Sequence, residues 1–170
     1  MRWPRPPRLK LAASPLERTQ QSARPIAGAL SLEIATDARI IEPTNAFEGL
    51  KNSGPDAAFK NPKHWLKFIN PFRPSWGEPY RSIASRMRDA MNEAWDATDG
   101  GERVFVTHQA PIWVTHLDVA GKALFHDPRS RRCELSSITT FERRGERWFE
   151  VDYRTPAADL VAGAKDVGAV

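Results

Sequence analysis

Two short stretches of the chain carry residues suited to anion chemistry. In "SPLERTQQSA", Ser14 to Ala23, Arg18 falls in the first turn of a segment that reads as a helix. In "VFVTH", Val104 to His108, a histidine follows directly on a β-rich run. A helix N-terminus offers unpaired N–H groups and the positive end of the helix dipole, so an arginine beside it completes a site for an anion. An imidazole at a neighbouring strand end adds a group that can donate, accept or carry a proton. Taken singly, Arg18 reads as a solvated helix arginine and His108 as a satisfied core histidine. It is their shared position that argues for function.

That position follows from the elements around them. Leu9 to Ala13 is a short strand; Ser14 is suited to capping the next helix and Pro15 to its first position. Leu16, Gln20, Ala23, Ile26, Ala27 and Leu30 recur at helical spacing, with Pro25 expected to kink this helix or end its first half. A second strand is expected near Glu33 to Ala35. Pro79 to Ala97 is the clearest helix, with Ile83, Met87, Ala90, Met91 and Ala94 as its buried stripe and Gly100-Gly101 at its end. Arg103 to Thr107 reads as a buried strand and Ile112 to Ala120 as a helix closed by Gly121. Ser136 to Phe141 and Trp148 to Tyr153 alternate around "RRGE", an antiparallel hairpin. The order predicts an α/β fold. Sites in open α/β sheets form beyond the carboxyl ends of the strands, and the Ser14/Arg18 and Thr107/His108 junctions share that edge.

Between these elements, residues 43–78 form an insertion rich in proline, asparagine, glycine and aromatics, expected to serve as a lid or pocket wall. Within it "NPKHWLKFINP" reads as one short helix, and Trp65, Phe68, Phe72 and Trp76 as the core of the insertion. The run "HDPRSRR", with Arg129, Arg131 and Arg132, reads as a solvated loop. The chain has 170 residues and a net charge of +4. Arg2, Arg5, Arg8 and Lys10 account for all of that excess, in a Pro-rich leader without acids. The expected domain spans residues 9–160, between a disordered basic tail over 1–8 and a flexible tail over 161–170. A basic leader on a neutral domain argues against a nucleic-acid partner. No apolar run reaches membrane-span length, so no membrane partner is expected. The single cysteine, Cys133, excludes an internal disulfide and fits the cytoplasm. His64, His108, His116 and His126 show no metal-ligand spacing with the acids, so neither metal nor cofactor is expected.

Together "SPLERTQQSA", "WGEPY" at Trp76 to Tyr80 and "VFVTHQAP" resemble the histidine phosphatase superfamily, the phosphoglycerate mutase-like family, over roughly Leu9 to Phe141. The resemblance implies a three-layer fold, a mostly parallel sheet with helices on both faces. It also implies phosphoryl transfer: a histidine attacks phosphorus, two arginines and a second histidine bind the phosphoryl oxygens, and a carboxylic acid protonates the leaving oxygen. By this resemblance Arg18 matches the second phosphate-binding arginine and His108 the second histidine. Glu42, in "RIIEPTNAFEG", matches the acid, with Glu48 as its rival. Glu42 is preferred because it follows the apolar pair Ile40-Ile41 at an element's end. Gln109 stands where the family usually has glycine, a departure expected of a subgroup.

The family begins with a strand ending in Arg-His-Gly, which supplies the nucleophile. This sequence has no Arg-His-Gly. "RRGE", Arg143 to Glu146, imitates it, but an arginine cannot deprotonate to attack, and a turn on Gly145 explains the run. His116 lies two helical turns beyond His108, too far to share a phosphate; His64 and His126 read as surface or packing histidines. The reading is therefore an N-terminally truncated family member, lacking a strand-helix unit of about 30 residues or more. Its complete form is expected to hydrolyse phosphomonoesters of small molecules rather than to act as a mutase. The alternative is a catalytically inactive, phosphoester-binding remnant. Neither the particular substrate nor the oligomeric state is encoded legibly.

Overall fold

Strand β1, Leu9–Ala13, is the middle of a three-stranded parallel sheet of order β2-β1-β3, with β2 at Ile34–Thr36 and β3 at Glu102–Val106. The computed structural model describes residues 8–43, 77–127 and 130–161. Residues 1–7 of the tail expected over 1–8, most of the insertion with His64, Glu48 and its four aromatics, Arg129, and residues 162–170 lie outside them; Arg8 belongs to the fold, its carbonyl accepting from Glu102 N–H at 3.1 Å. Helix α1 is Glu17–Leu30, α2 Tyr80–Thr98, α3 Gln109–Val119, and a last short turn, α4, is Ala158–Val161.

Alternation along the strands divides the core into two layers. Leu11 and Ala13, with Val104, Val106 and Ile34, pack on Ala23, Ile26 and Ala27 of α1. Phe105 faces the other way, against Ile40, Ile83, Ala84, Met87, Ala90 and Val114, contributed mainly by α2 and α3. Helices thus cover both faces of a parallel sheet, as the sequence predicts. The stripe of α2 is buried as expected: Ile83, Met87, Ala90, Met91 and Ala94 all face inward. The chain entering β1 passes so close to the chain entering β3 that a Cβ at Gly101 would stand 2.2 Å from the Arg8 carbonyl oxygen. Only glycine fits there.

Strands β4, Ile138–Arg144, and β5, Arg147–Arg154, form an antiparallel hairpin about Gly145, whose φ is +61°. The hairpin is a sheet of its own. Among the described residues β3 pairs with β1 alone. Trp148 fastens the hairpin to α2, donating from Nε1 to Asn92 Oδ1 at 3.0 Å and meeting Trp95 edge-on.

Three local expectations are corrected. Ser14 does not cap α1, and Pro15 is not its first residue: the helix starts at Glu17, after Leu16 in extended conformation. Ser14 is fully buried, and its hydroxyl has a tertiary partner described below. Pro25 neither ends nor divides α1, which runs on to Leu30. It is exposed there, so the carbonyl it leaves without a helical donor sits on the solvent side. Helix α3 begins at Gln109, three residues before the expected Ile112, because His108 holds the extended capping position and its carbonyl accepts from Ile112 N–H at 3.2 Å. Pro111 is tolerated in that first turn, where an N–H has no helical partner.

Candidate active site

The carboxyl ends of β1, β2 and β3 are stitched together just past the strands. Ser14 N–H donates to the Val106 carbonyl at 3.0 Å, and Asp37 N–H to the Ala13 carbonyl at 3.0 Å. Three loop starts therefore meet at one edge: Ser14 before α1, Asp37 before a 3₁₀ turn at Ala38–Ile40, and Thr107-His108 before α3.

His108 lies at the centre of this edge, its side chain 6% exposed. Its Nε2 is 2.8 Å from Ser14 Oγ, and its Nδ1 is 3.7 Å from Glu42 Oε2. Burial, then the positive charges of Arg18 and Arg86, pulls its pKa down from 6.5 to about 4. At neutral pH the imidazole is therefore uncharged, and its contact with Glu42 is a dipole facing a carboxyl group rather than an ion pair. Arg18 is exposed on the first turn of α1 and makes no ion pair among the described residues. It is close enough for its charge to act on His108. The structure thus brings Arg18, Glu42 and His108 to one edge. Glu48 lies outside the described residues.

Sequence reasoning missed Arg86. It sits on α2, where Nε and Nη2 grip the Glu78 carboxylate at 2.9 Å, and Nη1 donates to the Arg39 carbonyl. Burial pushes the Glu78 carboxyl up, but hydrogen bonds from Arg86 and Ser82 outweigh it and hold the pKa below the usual carboxylate value. The available clue was spacing: Glu78, just before α2, and Ser82 and Arg86 on it recur every four residues. Thr107 was noted only as part of a junction; its Oγ1 donates to the Ile40 carbonyl at 2.6 Å. Gln109, the departure from the family pattern, donates from Nε2 to the Cys133 carbonyl at 3.1 Å and so ties the following loop to the site. Burial pushes the Cys133 thiol up, away from reactivity.

The other described histidines have structural partners. His116 Nδ1 is 2.5 Å from Glu150 Oε2 on the hairpin, and its ring stacks on Trp113 at 4.7 Å. His126 Nδ1 faces the Leu124 carbonyl at 2.8 Å, and its Nε2 accepts from Arg131 at 2.9 Å. Arg132 lies over the Tyr153 ring and pairs with Glu150. Arg131 and Arg132 thus have partners within the fold, Arg132 while remaining exposed as expected. Among the described residues no group of three or more His, Cys, Asp or Glu could hold a metal ion. No described helix is long and apolar enough to cross a membrane.

The family model for the histidine phosphatase superfamily (branch 1) matches residues 5–155. The uncharacterized protein Rv0525 of Mycobacterium tuberculosis (strain ATCC 25618 / H37Rv) is 46% identical over 146 residues, 86% of this chain and 72% of that protein. Two solved structures show the shared fold. A phosphoserine phosphatase mutant from Entamoeba histolytica, in complex with phosphoserine, has a TM-score of 0.62 at 18% identity, covering 85% of this chain and 72% of that one. The mycobacterial glucosyl-3-phosphoglycerate phosphatase has a TM-score of 0.58 at 16% identity, covering 84% of this chain and 75% of that one.

Proposed function

Because the chain belongs to the histidine phosphatase superfamily, we propose that it carries the phosphate-binding and proton-transfer half of a phosphomonoesterase site. One observation carries this reading: a buried His108 stands 3.7 Å from the Glu42 carboxylate, at the edge where Arg18 also lies. Arg18 and His108 bind the oxygens of the phosphoryl group. Transfer of that group gains mostly from positioning and charge neutralisation, which an arginine and a buried donor supply.

In the complete site a ring nitrogen of a nucleophilic histidine attacks phosphorus while the bond to the leaving oxygen breaks. Glu42, protonated, gives its proton to that oxygen. Glu42 as carboxylate then takes a proton from water, the water oxygen attacks phosphorus, and the P–N bond breaks to release phosphate. Glu42 is preferred to Glu48 because it follows Ile40-Ile41 at an element's end, and its 3.7 Å distance to His108 supports that choice. The names of two structural neighbours, a phosphoserine and a glucosyl-3-phosphoglycerate phosphatase, support a phosphorylated small molecule as substrate. A single cysteine, half-buried, fits a cytoplasmic setting.

One observation favours a second reading, a non-catalytic phosphoester-binding protein: residues 1–170 contain no Arg-His-Gly. The experiment separating the two uses protein isolated from its natural source, incubated with a radiolabelled phosphomonoester. An acid-labile phosphohistidine together with release of phosphate is the expected result. Phosphate binding without either would overturn catalysis and leave the binding reading.

A further inference from the structure

The candidate acid Glu42 follows a turn whose own backbone bonds are long. Ile40 N–H reaches the Asp37 carbonyl and Ile41 N–H the Ala38 carbonyl, each at 3.4 Å. Bonds of that length hold a turn weakly. Yet the turn ends beside His108, and two side chains from other elements grip consecutive carbonyls within it. Arg86 of α2 donates to the Arg39 carbonyl, and Thr107, one residue before His108, donates to the Ile40 carbonyl at 2.6 Å. Arg86 is itself fixed by a forked pairing with Glu78, the two side chains 16% and 20% exposed. Such a fork restricts orientation as well as distance. The Ile40 side chain, fully buried in the α2–α3 layer, anchors the turn from below.

We infer that Arg86 and Thr107 are positioning residues that clamp this turn and so hold the Glu42 carboxylate against Nδ1 of His108. The inference rests on the proposed role of Glu42 and adds what sets its place. Thr107 is covalently next to His108, so its bond measures the turn directly from the imidazole it must face. Arg86 ties the same turn to Glu78, just before α2.

The consequence is readable without turnover. A carboxylate on the Nδ1 side of a neutral imidazole favours the tautomer with its proton on Nδ1, leaving Nε2 to accept from the Ser14 hydroxyl. The test is nitrogen NMR at pH 7 on protein with labelled histidine rings, the His108 signals assigned by their loss in His108→Gln. In the unmodified protein the Nδ1–H form is expected to predominate. Glu42→Ala should make it the minor form. Thr107→Val, which removes the hydroxyl without changing charge or size, should shift the ratio the same way, as should Arg86→Met, and Thr107→Ser should restore it. A ratio unchanged in Thr107→Val and Arg86→Met, but lost in Glu42→Ala, would overturn the clamp while leaving Glu42 beside His108. A ratio unchanged in Glu42→Ala would remove both the clamp and the proposed placement of the acid.

Discussion

His108 Nε2 and Ser14 Oγ lie 2.8 Å apart, bridging 94 residues of sequence between two neighbouring strand ends. Both side chains are buried. Ser14→Ala would leave a buried ring nitrogen without its partner, a change that costs about 1–3 kcal/mol. Urea denaturation at pH 7 should show that loss. A variant as stable as the parent would mean that the imidazole finds another partner.

Stability should also depend on pH through His108. Its pKa is about 4 in the folded protein, against 6.5 for the free side chain. Between these values the unfolded chain binds a proton that the folded one does not, so acid favours unfolding. The stability that the buried neutral ring contributes is complete above pH 6.5 and is lost as pH falls through the folded value. The loss is about 3 kcal/mol at most. Denaturation curves from pH 7 to 4 should fall less steeply in His108→Gln than in the parent.

Arg18 offers a separable test of electrostatics. It is exposed and unpaired among the described residues, so Arg18→Ala should change stability by no more than about 0.5 kcal/mol. The same substitution removes a positive charge that holds the His108 pKa down. NMR titration should place that pKa above its parent value of about 4, yet still below 6.5, because burial remains. An unmoved pKa would place Arg18 away from the site.

At the other end of the sheet, Gly101→Ala would drive a methyl group into the Arg8 carbonyl, 2.2 Å away. Backbone on both sides must move, separating the starts of β1 and β3, at a cost of about 1–3 kcal/mol. Thermal melts should show a lower midpoint. The candidate site lies at the opposite, carboxyl end of these strands and should keep its phosphate affinity at temperatures where the variant remains folded.

Much of this arrangement is legible in the sequence because it is local. The β-rich run "RVFVT" marks a strand, and the three- and four-residue recurrence of Ile83, Met87, Ala90 and Met91 marks a buried helix face. Arg18 and His108 stand out because each follows a strand on entry to a helix. What sequence could not show is tertiary competition. Ser14 carries a helix-cap signal, but a buried imidazole takes its hydroxyl. Pro25 carries a helix-breaking signal, but on the solvent face its missing bond costs little. Arg86 was hidden for the same reason: its partners, Glu78 apart, are the Arg39 carbonyl and the field at His108, both supplied by the fold.

Everything proposed for this edge depends on Arg18 and His108 binding a phosphoryl group together. The most direct test is calorimetric titration of the 170-residue chain with inorganic phosphate at pH 7, beside Arg18→Ala and His108→Gln. One binding site is expected in the parent and a loss of about tenfold or more in each variant, as when a charge-assisted hydrogen bond or a buried donor is removed. A parent that binds no phosphate, or variants that bind it as tightly as the parent, would contradict that joint binding.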